Sequence, residues 1–273
     1  MAQKERLDVL LIEQGFFLTR EKAKGSIMAG LVFVNQERVD KPGTKVPRDA
    51  HLFVKGTEHP YVSRGGLKLE RAIKVFNLDL QDAIVVDVGA STGGFTDCSL
   101  QNGASYVYAV DVGTNQLAWK LRQDDRVKVM EQYHFRHANP ADFTMPIPSI
   151  AVIDVSFISL HWMWPPLSQI ICDGGQAMAL VKPQFEAGRE LVGKKGLVRD
   201  PQVHKNVIAH VIQDAALNGW NSKQLTHSPI TGGDGNIEFL LHLCKDGQAV
   251  NLQMWNERIE QVVNEAHEIL IVK

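Results

Sequence analysis

The residues of this sequence that could do chemistry fall into two groups. The first is Asp87-Val-Gly89-Ala90-Ser91-Thr92-Gly93-Gly94-Phe95, between the apolar run AIVVDVGA and a helical pattern. Glycines in such a turn adopt positive φ and let a ligand approach the backbone closely. The next apolar run, YVYAVDVG, ends at Asp111, about where an acidic residue binds ribose hydroxyls on a doubly wound sheet. The spacing is not the G-x-G-x-x-G that seats a pyrophosphate at a helix N-terminus. An acid at position 87, just before the glycines, suits a cationic amino-acid group better than a phosphate. A ligand with a ribose and an ammonium but no phosphate is S-adenosylmethionine. That is the expected cofactor, held by Asp87, Gly89, Ala90, Ser91, Thr92, Gly93, Gly94, Phe95 and Asp111. A nicotinamide-dependent enzyme is the competing reading of a glycine-rich turn, and the loop spacing disfavours it.

The second group is Lys68, Asp154, Lys182 and Glu238. Asp154 ends the run AVIDVSF, Lys182 ends ALVKP, Glu238 opens IEFLLHLC, and Lys68 starts the helical segment SRGGLKL. Charges are unexpected in such apolar surroundings unless paired. Two structural ion pairs would account for them one by one. Structural pairing explains all of them together less well, because buried pairs give little net stability.

Both groups need a scaffold that brings strand ends together. Strand-like runs alternate with helical segments through most of the chain, from AIVVDVGA to the long amphipathic PQVHKNVIAHVIQDAALNGW and the strand IEFLLHLC. Such alternation implies an α/β fold, a doubly wound and mostly parallel sheet of the Rossmann type. A last amphipathic helix places Leu252, Trp255, Ile259, Val262, Ala266 and Ile269 on one face; its polar face is acidic, so it is expected to pack on the sheet. Ahead of this lies a small α+β region. Residues 5–15 and TREKAKGSIMAG read as two helices, LVFVNQERV as strands turning at Asn35-Gln36, DKPGTKV as a turn and HLFVKG as a strand. Residues 56–62 read as a linker. The expected domains are 1–58 and 59–273.

With these pieces in place, the order Lys68–Asp154–Lys182–Glu238 resembles the catalytic tetrad of the ribosomal RNA 2′-O-methyltransferases related to FtsJ. More narrowly, the chain resembles the TlyA family, often labelled haemolysin A. The resemblance is carried by SRGGLKL, DVGASTGGFTD, DVSFISL, LVKPQFEAGRE, GLVRDP and NIEFLLHL. The segment RLDVLLIEQGFFLTREKAKGSIMAGLVFVNQERV is similar to the S-four-type RNA-binding module. The resemblance implies S-adenosylmethionine-dependent methylation of a ribose 2′-hydroxyl, of cytidine, in ribosomal RNA. It makes Lys68, Asp154, Lys182 and Glu238 the catalytic set, with Asp154 also near the cofactor. Free lysine holds its proton to about pH 10.4. Lys182 would therefore act either as a base once its surroundings lower that value, or as a cation stabilising the developing oxyanion. Arg6, Arg20, Lys22, Lys24, Arg64, Arg189 and Arg199 are the candidate RNA contacts, the last two on a glycine-rich loop after Lys182 that is either a flap or a solvated loop. The family usually carries Thr-Asn after the strand VKVM. Here the stretch is Glu131-Gln132-Tyr133-His134-Phe135-Arg136, which leaves Tyr133 as the candidate adenine contact.

Composition agrees with a folded enzyme without pointing to RNA. Hydrophobic residues make up 44% and charged residues 22% of the 273, within the range of globular proteins. The net charge of −2 lacks the basic excess of most nucleic-acid binders, and residues 1–60 hold only ten Lys/Arg against eight Asp/Glu. Cys98, Cys172 and Cys244 show no metal-ligand spacing, so no metal is expected, and the thiols read as small core residues in a reducing cytoplasm. No apolar stretch is long enough to span a bilayer, which argues against a pore-forming haemolysin. A catalytically silent RNA-binding or assembly protein is the remaining alternative. The intact charged set argues against it. The expected partners are ribosomal RNA or ribosomal subunits and no membrane.

Overall fold

The computed structural model describes the chain except residues 1–3, 14–15, 18, 36, 49, 51, 56–58, 145, 233–234, 247–251 and 271–273, and except the side chains at 22, 252 and 253. Gln36 of the expected turn, part of the expected linker and the side chains of Lys22 and Leu252 therefore lie outside the described residues. The chain divides into two compact units, Met1–Pro60 and Tyr61–Lys273.

The first unit contains β1 (Lys4–Arg6), α1 (Leu7–Glu13), α2 (Arg20–Met28), β2 (Val32–Val34), β3 (Glu37–Val39), β4 (Lys45–Pro47) and β5 (Leu52–Val54). Its core is the apolar face of the two helices, with Leu7, Leu10, Leu11, Ala23 and Ile27, set against Val32, Val34, Leu52 and Val54. The first helix starts at Leu7 rather than residue 5. Lys4–Arg6 is instead a strand, pairing antiparallel with β4 inside the segment expected to be only a turn. Three-residue strands carry too little periodicity to be read from sequence. β2 pairs with β3 and β5 in a three-stranded sheet, with Val34 opposite Glu37 across the expected hairpin.

The second unit runs α3 (Gly65–Phe76), β6 (Ile84–Val88), α4 (Gly94–Gln101), β7 (Tyr106–Val110), α5 (Trp119–Arg122), β8 (Val127–Met130), β9 (Ile150–Ile153), α6 (Trp164–Ile170), β10 (Gln176–Val181), α7 (Pro183–Glu186), α8 (Pro201–Leu217), β11 (Asn221–His227), β12 (Phe239–Cys244) and α9 (Leu252–Leu270). The strands form one sheet in the order β11-β12-β10-β9-β6-β7-β8. From β10 to β8 the pairing is parallel, and β12 is antiparallel to both its neighbours. Helices cover both faces, so alternate residues of one strand enter two different cores: Val86 and Val88 in one, Val85 in the other. This double burial is why the central strands read as near-continuous apolar runs.

β11 is absent from the sequence expectation. Its residues, NSKQLTH, are polar, and a register shift between Ser222 and Gln224 breaks any alternation at this sheet edge. The expected helix NQLAWKLRQ forms only over Trp119–Arg122, because the residues before it are tied down as a loop, described below. On α9 the buried stripe is Ile259, Val262, Val263 and Ala266, while Ile269 is exposed. Of the cysteines, Cys98 is buried but Cys172 is exposed, so only the former clearly plays the expected core role.

β6, β7 and β8 are laid down outward, after which the chain returns to set β9 on the other side of β6. The carboxyl ends of β6 and β9 thus flank a topological switch point, where ligands bind in open α/β sheets.

Candidate active site

Two adjoining cavities open at that switch point, of about 420 Å³ and 290 Å³. They share Gly89, Ser91, Asp154, Ser156 and Phe157. Gly89 has φ +88°, and a Cβ there would lie 2.5 Å from the carbonyl oxygen of Asp154. Only glycine lets the ends of β6 and β9 approach this closely. Ser91 also lies in the left-handed region, with φ 48°. Its N–H donates to Asp111 Oδ2 at 2.7 Å, and Gly113 N–H donates to Oδ1 at 2.7 Å. The end of β7 is thereby fastened to the glycine loop, with Asp111 in the wall of the smaller cavity.

All four charged residues line the larger cavity. They form one alternating row. Lys68 Nζ lies 2.6 Å from Glu238 Oε2 and 3.9 Å from Asp154 Oδ2, and Lys182 Nζ lies 2.6 Å from Asp154 Oδ1. Lys68, Lys182 and Glu238 are buried. Each arrives by its place in the fold. Asp154 follows β9, Lys182 follows β10, Glu238 precedes β12, and Lys68 lies in the first turn of α3. Gly232 makes room for this row, since a Cβ there would lie 2.7 Å from Glu238 Oε1. The row itself balances two cations with two anions, so the four groups together carry no net charge.

The other loop residues divide by role. Gly89, Ala90, Ser91, Thr92, Gly94 and Phe95 line the larger cavity, whereas Gly93, with φ +98°, packs against Leu117 and Leu121. Asp87 lines neither cavity. It is fully buried, accepts a 2.6 Å hydrogen bond from Thr96 Oγ1, and leaves Oδ1 without a partner. Direct contact with a cationic ligand, expected from its position before the glycines, is therefore not what the fold provides. Burial, opposed by the Thr96 hydrogen bond, raises its pKa to about 7. The folded state thus holds this proton at pH values where an unfolded carboxylate has lost it, so stability falls as pH rises from the ordinary carboxylate range to about 7. Asp87→Asn should remove that penalty. Its melting temperature should gain on wild type between about pH 5 and about pH 8, and a constant difference across that range would refute the assignment.

Tyr133 lines the smaller cavity, but its hydroxyl donates to Asp142 Oδ2 at 2.8 Å and accepts from Asn139 N–H at 3.0 Å. It presents the ring rather than the hydroxyl to a ligand. Glu131 does not reach the cavity. Its carboxylate accepts from the N–H groups of Asn115, Gln116 and Leu117 and pairs with Arg122. Burial pushes its pKa up, but these bonds outweigh it and hold the carboxyl below the usual range. This knot is what shortens α5 and sets Gln116 into the cavity wall. Gln116, Phe135, Ile158 and Met163 are wall residues that sequence reasoning did not single out. Ser156 and Phe157 stood in plain view in DVSFISL, but no charge marked them.

Of the candidate RNA contacts, Arg64 lines the larger cavity and Arg189 a third one beside it, sharing Phe157, Gln184 and Phe185. Arg199 is exposed and lines none of the three. In the first unit, Arg6 and Arg20 each place Nε 2.9 Å from the buried carboxylate of Asp8. Hydrogen bonding from Arg6, and then Arg20, holds Asp8 at a pKa of about 2 against the effect of burial. Both guanidinium groups remain partly exposed, and Lys24 is half-buried on α2.

Among the described residues no group of His, Cys, Asp and Glu is spaced to hold a metal ion, and no helix is long and apolar enough to cross a membrane.

The FtsJ-like methyltransferase family matches residues 61–245, and the S4 domain family matches residues 5–52. The chain is 60% identical over 270 residues to YqxC of Bacillus subtilis, provisionally named an rRNA methyltransferase, covering 98% of this chain and 96% of the relative. It is 36% identical to the 16S/23S rRNA (cytidine-2′-O)-methyltransferase TlyA of Mycobacterium tuberculosis, covering 97% and 99% of the two chains. A solved structure from Streptococcus thermophilus, provisionally named a hemolysin, superposes with a TM-score of 0.78 at 57% identity, covering 98% of each chain. Fold, charged row and relatives agree: the chain belongs to the TlyA family of FtsJ-like methyltransferases, with an S4 domain at its N-terminus.

Proposed function

We propose that the protein transfers a methyl group from S-adenosylmethionine to the ribose 2′-hydroxyl of a cytidine in ribosomal RNA. The observation that carries this reading is the row Glu238–Lys68–Asp154–Lys182, set in a cavity that adjoins a second one at the switch point. Relatives named as rRNA (cytidine-2′-O)-methyltransferases support the choice of cytidine and of ribose.

The residues present fit the cofactor. Gly89 lets the ends of β6 and β9 close up beneath both cavities, Asp111 stands at ribose-binding distance along the sequence, and Val112, Tyr133, Phe135, Ile158 and Met163 give the smaller cavity apolar walls suited to a purine. S-adenosylmethionine supplies a methyl group on a sulfonium, ready for in-line displacement. The chain's own residues deal with the nucleophile. A ribose hydroxyl is weak until its proton leaves, and Lys182 is the group that orients it and stabilises the oxygen as charge develops. Asp154 holds the Lys182 ammonium in place. Glu238 and Lys68 complete the charge balance and border the space for the ribose. Holding the hydroxyl in line contributes much of the rate. Phe157 stands 91% exposed at the rim of both cavities, with φ 62°. A bulky residue is strained in that conformation, and it holds an apolar ring where a base would arrive.

The reading is tested with tritiated S-adenosylmethionine and ribosomal subunits lacking the modification. Label should reside in a dinucleotide that resists alkaline cleavage, because a 2′-O-methyl removes the attacking hydroxyl. Label on a base, or on DNA as readily as on RNA, would overturn it. A second expected result concerns Glu131. Glu131→Ala should weaken binding of S-adenosylhomocysteine by roughly tenfold in calorimetry, since loosening three backbone hydrogen bonds and an Arg pair frees the loop carrying Gln116. Affinity unchanged by that substitution would separate Glu131 from the cofactor pocket.

A further inference from the structure

Among the described residues Lys182 bonds to two side chains, only one of them charged, and its Nζ also lies 5.8 Å from the centre of the Phe185 ring. Its Nζ lies 2.6 Å from Asp154 Oδ1 and donates a 2.8 Å hydrogen bond to Ser156 Oγ. Both acceptors belong to the short segment that leaves β9. A lysine side chain on a single tether swings about it, and Asp154 is also drawn toward Lys68, 3.9 Å away. Two bonds from one segment convert the tether into a fixed position. An ammonium has three N–H donors. With two committed to hydrogen bonds, the third faces the cavity that Lys182 lines together with Phe185.

Ser156 differs from Asp154 in being an acceptor without charge. A neutral amine keeps two N–H donors, so Nζ can hold its bonds to Asp154 and Ser156 whether it carries three protons or two. In the two-proton form the lone pair is then the group that faces the cavity. Ser156 also lines both the larger and the smaller cavity and is exposed to them. It is an uncharged side chain in direct hydrogen-bond contact with the charged row, in the wall that the two cavities share.

We propose that Ser156 is a positioning residue for methyl transfer: it fixes the Lys182 amine toward the substrate oxygen through a hydrogen bond that survives a change in protonation. This inference rests on the proposed 2′-O-methyltransferase reading, and the experiment is chosen to separate the two. Ser156→Ala should lower kcat by about tenfold, the order expected for a hydrogen bond to a charged group, while KM for RNA and affinity for S-adenosylhomocysteine change by less than about twofold. Ser156→Thr, which keeps the hydroxyl, should restore kcat. Ser156→Cys, close in size but a weak acceptor, should resemble the alanine variant and serves if alanine impairs folding.

The readout independent of activity is the 15N–1H signal of the Lys182 side chain, assigned by its absence in Lys182→Ala. Hydrogen-bonded ammonium protons exchange slowly enough to be seen, so the signal should be present in wild type and Ser156→Thr and lost or broadened in Ser156→Ala. An unchanged Lys182 signal in Ser156→Ala overturns the inference. So does a kcat loss that threonine fails to restore while cofactor affinity falls in parallel. If wild type moves no methyl group to ribose, the functional reading falls, and the amine signal still decides whether Ser156 holds Lys182.

Discussion

Lys182→Ala is expected to lower methyl transfer to ribosomal RNA by about a thousandfold, the combined order of losing a general base or oxyanion stabiliser and the alignment it provides. Binding of S-adenosylhomocysteine should stay within a few-fold of wild type, because Lys182 does not line the smaller cavity, where Asp111 and the apolar walls would take the ribose and purine. The asymmetry is the informative part. A residue that only braced the sheet would lower stability and both binding events together. Lys182 does have a structural partner, since Asp154 would lose its 2.6 Å contact. Asp154 is partly exposed, however, so water can replace that contact at modest cost. The measurement is single-turnover transfer from labelled cofactor beside a calorimetric titration. Equal transfer by mutant and wild type would sink the proposed chemistry.

Removing Glu238 should have a different signature. Lys68 Nζ sits 2.6 Å from Glu238 Oε2, and both groups are buried, Glu238 to 2% exposure and Lys68 to 8%. Glu238→Leu leaves a buried ammonium whose remaining carboxylate, Asp154, is 3.9 Å away. Breaking one side of a buried pair typically costs about 3–5 kcal/mol, which would bring a marginally stable domain close to unfolding. The double substitution Lys68→Met with Glu238→Leu removes both charges and should recover most of that loss, because apolar replacement of a buried pair is often neutral or stabilising. Activity should not return. Denaturant unfolding of the single and double variants tests this, with methyl transfer measured on the refolded protein. A double variant that is both stable and active would show that the pair is structural. A double variant as unstable as the single one would show that the site depends on these charges for its shape.

The sequence by itself determined a good deal. The near-continuous apolar runs of β6, β9 and β10 declare strands buried on both faces, and alternation with helices leads to a parallel doubly wound sheet. Asp154 and Lys182 were legible because each charge ends such a run, and strand ends are where this fold binds ligands. The glycine loop was legible because few residues but glycine tolerate its backbone. What failed to show were features without local signature. β11 is polar and bulged, and it becomes a strand only because β12 offers an edge to pair with. β1 and β4 are too short for periodicity and hold by pairing with each other.

The same division runs through the cofactor loop and the charged row. Their residue types and order are sequence properties; which atoms meet is not. Asp87 precedes the glycines as a ligand-binding acid would, yet its backbone position turns it inward, where Thr96 takes one oxygen and burial raises its pKa. Glu131, two residues before the expected adenine contact Tyr133, spends its carboxylate on three backbone N–H groups and Arg122. Ser156 carries no charge and so gave no signal, and it becomes informative only when Lys182, 26 residues away, folds back to donate to it. Apolar pattern and backbone permissiveness are local and can be read along a chain. Hydrogen-bond partners across strands depend on distances set by the whole sheet, and only the tertiary structure decides them.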